Sequence, residues 1–303
     1  MNQYHQSVLL KEVTEFLNVR PGCLYIDATI GGGGHTRQIL KRGGKVLGID
    51  CDPDAIEHIK KSQKSEIKSQ KLVLVYGNFS NIGDIAKGKG FDQVDGVLFD
   101  LGVSSHQLET PIRGFSFAKD GPLDMRMDPR TNVTAADLVN NFNQRRLNEI
   151  FKTYADEKFS WPISGAICRA RQIRPIKTTG QLAEIVTEVY QKYLKKHSHS
   201  LQAKLGMVKI HPATKVFQAL RIIVNSELLN LTESLPQTVD LLKKRGRLVV
   251  VSFHSLEDAQ VKRFFKHQAR LKVLTKSPIG PTDFEISNNP RARSAKLRAA
   301  ERV

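Results

Sequence analysis

Four consecutive glycines, Gly31, Gly32, Gly33 and Gly34, stand where an apolar run at 24–29 gives way to a helical pattern at Gly34–Lys41. Only glycine takes a tight positive-φ turn without strain and lets a ligand come close to bare backbone. Such a cluster is therefore a place for a small molecule, or else a bare structural turn. Nineteen residues after Gly31 the next apolar run ends in Asp50, the spacing at which a carboxylate accepts from both hydroxyls of a ribose. Together the two features point to a nucleoside-containing ligand. A Walker-type phosphate loop is excluded, because no Gly-Lys-Ser/Thr follows and His35 occupies the region of the phosphate lysine. For a dinucleotide, the third glycine of G-x-G-x-x-G would fall at Thr36, and Asp27 lies four residues before the first glycine. A carboxylate at that strand end suits a cationic amino group better than a pyrophosphate. S-adenosylmethionine carries an ammonium and a sulfonium and no phosphate, which leaves NAD as the rival.

Two more strand ends agree. Phe79, in Gly77-Asn78-Phe79-Ser80, follows the third apolar run and is placed to lie against an adenine ring or simply to fill the core. Asp100 closes the fourth run, at the carboxyl edge where open α/β sheets bind ligands; a turn cap is its plain alternative. What positions these residues is a set of short β-branched runs at 24–29, 45–50, 72–77, 95–101 and 247–253, each almost continuously apolar, as strands buried on both faces must be. Helical patterns alternate with them, which predicts an α/β fold on a parallel sheet. The rhythm breaks after the fourth run. A Gly/Pro-rich polar stretch at 111–132 leads into amphipathic helices at 135–142, 145–153 and 179–193, and the fifth strand comes only after a helix at 212–229. So long a detour is a domain rather than a loop.

With 47 Lys and Arg against 30 Asp and Glu, the net charge is +17. Residues 1–150 contribute +1 of it and residues 151–303 the remaining +16. A one-sided excess of this size is an electrostatic footprint for a polyanion, and nucleic acid is the expected partner. Arg291, Arg293, Lys296 and Arg298 near the C-terminus, with Arg113, Arg126, Arg169, Arg171 and Arg174 from the insertion, are the candidate phosphate contacts. Cys23, Cys51 and Cys168 are too far apart to form a disulfide framework or a zinc set, so no metal is expected. The polar N-terminus and the lack of any long apolar run predict a cytoplasmic protein without membrane contact. Asp124 and Asp128, beside arginines, read as ion pairs slightly ahead of catalysts. His254 reads as pocket lining or as part of a helix cap, and His211 is open between structure and function.

The strings DATIGGGGH at 27–35, GIDCDPDAI at 48–56, DLGVSSHQL at 100–108, RGFSFAKDGPLDMRMD at 113–128, TAADLVN at 134–140, HPATKVFQALRIIVNSEL at 211–228, SFHSLED at 252–258 and NPRARSAKLRAAE at 289–301 resemble, in order and nearly end to end, the bacterial 16S rRNA cytosine-N4 methyltransferase family. Lys215 departs mildly from the more usual Arg, and residues 191–206 match nothing in it. The resemblance implies a Rossmann-like class I methyltransferase sheet with an inserted helical domain. Residues 1–105 and 208–303 would form the S-adenosylmethionine-binding domain, and 106–207 the helical substrate-recognition domain. It implies methylation of the exocyclic N4 of a cytidine in the decoding region of 16S rRNA, with free rRNA or the small ribosomal subunit as partner, and a homodimer is compatible with it. Cofactor contacts fall at Gly33, Gly34, His35, Asp50, Phe79, Asp100 and Gln107, with Asp100 also the catalytic candidate. Arg113, Arg291, Arg293 and Lys296 are the residues expected against RNA.

Overall fold

Each of the five apolar runs forms a strand in the computed structural model, which describes residues 7–196 and 211–303. They are β1 (Leu24–Asp27), β2 (Lys45–Asp50), β3 (Leu72–Tyr76), β4 (Val94–Asp100) and β5 (Leu242–Ser252). Two further strands, β6 (Leu271–Val273) and β7 (Lys296–Arg302), complete a seven-stranded sheet of order β3-β2-β1-β4-β5-β7-β6. The first five are parallel; β7 runs antiparallel to both β5 and β6. This is a Rossmann-like α/β sheet, and strand order reverses at the β1–β4 pair, where Tyr25, Ile26 and Asp27 register with Gly96, Val97 and Leu98.

The continuous apolar character of the runs follows from burial on both faces. Ile26, Val97, Phe99, Leu248 and Val250 pack on one side with residues of helices Ile82–Lys87, Glu227–Leu241 and Ser255–His267. Tyr25, Leu98, Val249 and Val251 pack on the other with Val13, Ile39, Ile56 and Ile59 from the helices of the first half. Alternating side chains thus enter opposite cores, and neither face can be polar.

The chain divides into two units: Met1–Ser105 with Leu228–Val303, which holds the sheet, and His106–Glu227, which is helical. The first junction lies between Ser105 and His106. The second, read at 207/208, lies outside the described residues, and the helical unit extends to Glu227. Helix Ala213–Val224 belongs to it because Val216, Phe217 and Leu220 are buried among helices Ala135–Asn141, Gln144–Ala155 and Thr179–Lys196 of the same unit. The single helix expected at 212–229 is two. Ser226 takes φ 50, and the chain restarts as Glu227–Leu241. Among the described residues no helix is long and apolar enough to cross a membrane.

Candidate active site

The carboxyl tips of β1, β2 and β4 carry Asp27, Asp50 and Asp100. Between the tip of β1 and helix Gly34–Lys41 the chain turns through the glycines, with φ 47 at Gly31 and φ 72 at Gly33. Glycine is required at Gly33 twice over: the backbone is left-handed, and a Cβ there would collide with Ile59 Cδ1 and Gln63 Nε2. At Gly34 a Cβ would collide with Ser7 Oγ. The protein's own packing therefore accounts for these two glycines, whereas a Cβ at Gly31 would meet nothing closer than Thr29 O at 3.8 Å. Open backbone for a ligand is thus at the start of the turn.

Thr36, which occupies the third glycine position of a dinucleotide motif, is fully buried and donates its hydroxyl to Asp27 Oδ2 at 2.7 Å. The helix is tied to the strand end by a hydrogen bond in place of a bare contact. Thr29 does similar work across the sheet, accepting the Asp100 N–H at 2.7 Å. Sequence picks out Thr36 only as a departure from the dinucleotide glycine pattern and Thr29 not at all, and no local signal marks either hydroxyl as a partner of a strand-end aspartate.

Asp50 Oδ2 accepts the Gly31 N–H at 2.8 Å, and its Oδ1 accepts the Asp52 N–H at 2.9 Å. Asp50 thus fixes the glycine turn from the neighbouring strand. Burial nevertheless pushes its carboxyl up to about 6, against those two donors. Burial likewise raises Asp27, opposed by His35 and the Thr36 hydroxyl. His35 is 5 % exposed, and its Nε2 lies 3.2 Å from Asp100 Oδ2. Desolvation alone would lower the imidazole, but the Asp100 carboxylate against it, with Asp27 nearby, carries it above its usual value. His35 Nδ1 is buried with no hydrogen-bond partner among the described residues.

The structure thus brings Gly33, Gly34, His35, Asp50 and Asp100 to one edge of the sheet. Phe79 follows β3 on the short helix Phe79–Asn81, which Asn78 caps; its ring meets Phe99 edge-on at 5.5 Å, so it is half core aromatic and half exposed at the same edge. Gln107 is buried on helix Ser105–Glu109, in the helical unit. The donor set suits a cationic nucleoside. Three carboxylates and one imidazole converge, and no lysine or arginine is hydrogen-bonded to Asp27 or Asp50 among the described residues.

Several of the basic residues expected against RNA hold the protein together instead. Arg298 is buried, with Nε 2.6 Å from Asp258 Oδ1, and so is removed from the phosphate candidates. Arg126 clasps Asp124 through Nε and Nη2 at 2.8 Å each, and holds that carboxyl below its ordinary range against the effect of burial. Arg171 donates to the Val139 and Phe142 carbonyls at 2.6 Å, and Arg113 to those of Arg126 and Met127 at 3.1 and 3.0 Å. Arg291 and Arg293 are exposed, and Lys296 is half-exposed with Nζ 3.5 Å from Asp258. Asp128 pairs with Arg130 at 2.7 Å, so both members of the Asp124/Asp128 pair are ion-paired. His254 caps helix Ser255–His267, its Nδ1 accepting the Glu257 N–H at 3.3 Å. His211 Nδ1 accepts the Ala213 N–H at 3.1 Å and its ring stacks on Phe117 at 4.5 Å, a structural post in the helical unit.

Comparison with known proteins bears on the whole chain. It is similar to the ribosomal RNA small subunit methyltransferase H of Carboxydothermus hydrogenoformans, 45 % identical over 318 residues that cover 99 % of this chain and 98 % of the relative. The protein of the same name from Thermomicrobium roseum is also 45 % identical, covering 99 % and 94 %. Among solved structures, an rRNA methylase from Streptococcus thermophilus aligns over 96 % of this chain and 95 % of its own at 11 % identity, with a TM-score of 0.45, too distant to bear on the assignment. The family model of the MraW methylases matches residues 2–303. The chain belongs to the MraW methylase family, whose methyl donor is S-adenosylmethionine.

Proposed function

We propose that this methylase acts on ribosomal RNA of the small subunit and transfers a methyl group to the exocyclic N4 of a cytidine in the decoding region. The observation that carries the reading is the convergence of Asp27, Asp50 and Asp100 at the switch point of the sheet, beside open glycine backbone at Gly31. The names of the relatives, each a ribosomal RNA small subunit methyltransferase, supply the substrate class, and the likeness of motifs set out above supplies the base and the atom. S-adenosylmethionine brings a methyl group made electrophilic by its sulfonium. In this reading Asp50 accepts from the ribose, Phe79 lies against the adenine, and Gly33, Gly34 and His35 complete the cradle.

The amine of cytosine is a poor nucleophile because its lone pair is conjugated with the ring. Holding amine and methyl in line at near-contact distance is worth on the order of 7–11 kcal/mol in favourable systems. Asp100 and the backbone at 101–104 stand at the strand end where an acceptor can bind the amine N–H and localise its lone pair. His35, 3.2 Å from Asp100, fixes that carboxylate. A base within structured RNA must leave its stack first, at a cost of a few kcal/mol, which exposed Arg291 and Arg293 offset through phosphate contacts. Two measurements test the proposal. Nucleosides from small-subunit rRNA of cells lacking the protein are expected to have lost N4-methylated cytidine. Labelled methyl should pass from S-adenosylmethionine to small-subunit particles with the wild type and not with Asp100→Ala. Intact N4-methylcytidine in the deletion strain would refute the reading.

A further inference from the structure

Trp161 is the one tryptophan of the chain and is 56 % exposed at the start of helix Ser160–Ile173. A single exposed apolar ring is ordinary by itself, and what sets this one apart is its surroundings. It borders a depression of about 430 Å³, within the helical unit, between helices Ser160–Ile173 and Thr179–Lys196. Val189 and Tyr193 line it on the apolar side, Arg169 and Lys192 on the cationic side, and Glu188 is the one carboxylate. Tyr193 is held in place by Phe159, whose ring lies 4.9 Å from it and 4.8 Å from Tyr190. The floor is kept open by Gly165, where a Cβ would come within 2.9 Å of Gln144 Nε2 and 3.3 Å of Arg169 Nη1.

Charge settles the kind of occupant. From Lys158 to Lys177 the chain carries Arg169, Arg171 and Arg174 and not one acidic residue. Arg171 is turned onto backbone carbonyls, whereas Arg169 and Arg174 are exposed. An apolar peptide would leave these cations without complement. A nucleotide satisfies both characters of the site, with a flat base for the indole and tyrosine, an anionic backbone for the guanidinium and ammonium, and base N–H groups for Glu188. We propose that this depression is a second nucleotide pocket, which holds an unpaired base of the RNA substrate stacked on Trp161, its phosphates against Arg169 and Lys192.

The inference rests on RNA being the substrate, and its test keeps the two apart. Because Trp161 is the sole tryptophan, intrinsic fluorescence reports on the pocket directly. Titration of the full chain with protein-free 16S rRNA should quench the indole, and Arg169→Glu should weaken that quenching. In methyl transfer, Trp161→Ala should raise the KM for RNA roughly five- to hundredfold, the loss of one base stack, with S-adenosylmethionine affinity unchanged and Trp161→Phe largely restoring it. Wild-type KM in both Trp161→Ala and Arg169→Glu, with the indole unquenched, overturns the pocket while methylation itself stands. Quenching by small-subunit particles but not by protein-free RNA also overturns it and points to a ribosomal protein. No methyl transfer to any RNA would end the functional reading, and the fluorescence would still decide the pocket.

Discussion

At the scale of single residues, the site is organised by buried carboxylates whose charge the fold does not fully neutralise. Asp50 is the clearest case, with a carboxyl raised to about 6 by burial. Ribose hydroxyls donating to it would favour the ionised form, so the pKa falls on binding and a proton is released. Affinity for S-adenosylmethionine should therefore rise as the pH passes upward through about 6. Calorimetry should find binding weaker at pH 5 than at pH 7.5 by about tenfold, equivalent to ~1.4 kcal/mol, and Asp50→Asn should flatten that profile. A pH-independent affinity in the wild type would contradict the assigned contact. Thr36 offers a second test. Thr36→Val keeps the volume but leaves Asp27 Oδ2 without its 2.7 Å donor, which should cost about 1–3 kcal/mol in denaturant unfolding; an unchanged midpoint would remove the hydrogen bond from the account.

At the scale of elements, what the sequence made legible is what burial on both faces imposes. Strands β1 to β5 are continuous apolar runs because each alternates between two cores, and the acidic tips Asp50 and Asp100 follow from where those runs stop. Strand β7 was not legible. Lys296–Arg302 is made of Lys, Leu, Arg, Ala and Glu, which favour helix, and its arginines resemble a phosphate stripe. Tertiary pairing with β5 and the Arg298–Asp258 ion pair override that propensity, and Asp258 lies 40 residues away, beyond any local pattern. The end of the insertion was hidden for a related reason: an apolar helix at Ala213–Val224 announces itself but not its neighbours. The roles of the C-terminal arginines separate by experiment. Arg298→Ala should lower stability by about 1–3 kcal/mol, the cost of removing the buried hydrogen bonds to Asp258, which keeps Lys296 at 3.5 Å as its remaining cation. The Arg291→Ala/Arg293→Ala pair should stay within about 0.5 kcal/mol per site on unfolding while lowering the salt slope of RNA binding by about 2.

At the scale of the molecule, the proposed function gives the electrostatic division of the sequence a physical reading. Residues 1–150 hold +1 of the net charge and contribute the carboxylates at the tips of β1, β2 and β4, whereas residues 151–303 hold +16. A cationic small molecule is drawn to the first set and a polyanion to the second, so donor and acceptor of the methyl group are separated by sign before any specific contact forms. The slope of log affinity against log salt should accordingly be steep for RNA and near zero for S-adenosylmethionine. Everything depends on the strand tips receiving the methyl donor, and the most direct measurement is a crystal soaked with S-adenosylmethionine. Its density is expected over the tips of β1, β2 and β4, against Asp50 and the open backbone of Gly31. A crystal in which those tips stay empty of the donor, while NAD fills them or S-adenosylmethionine binds elsewhere, would contradict that placement.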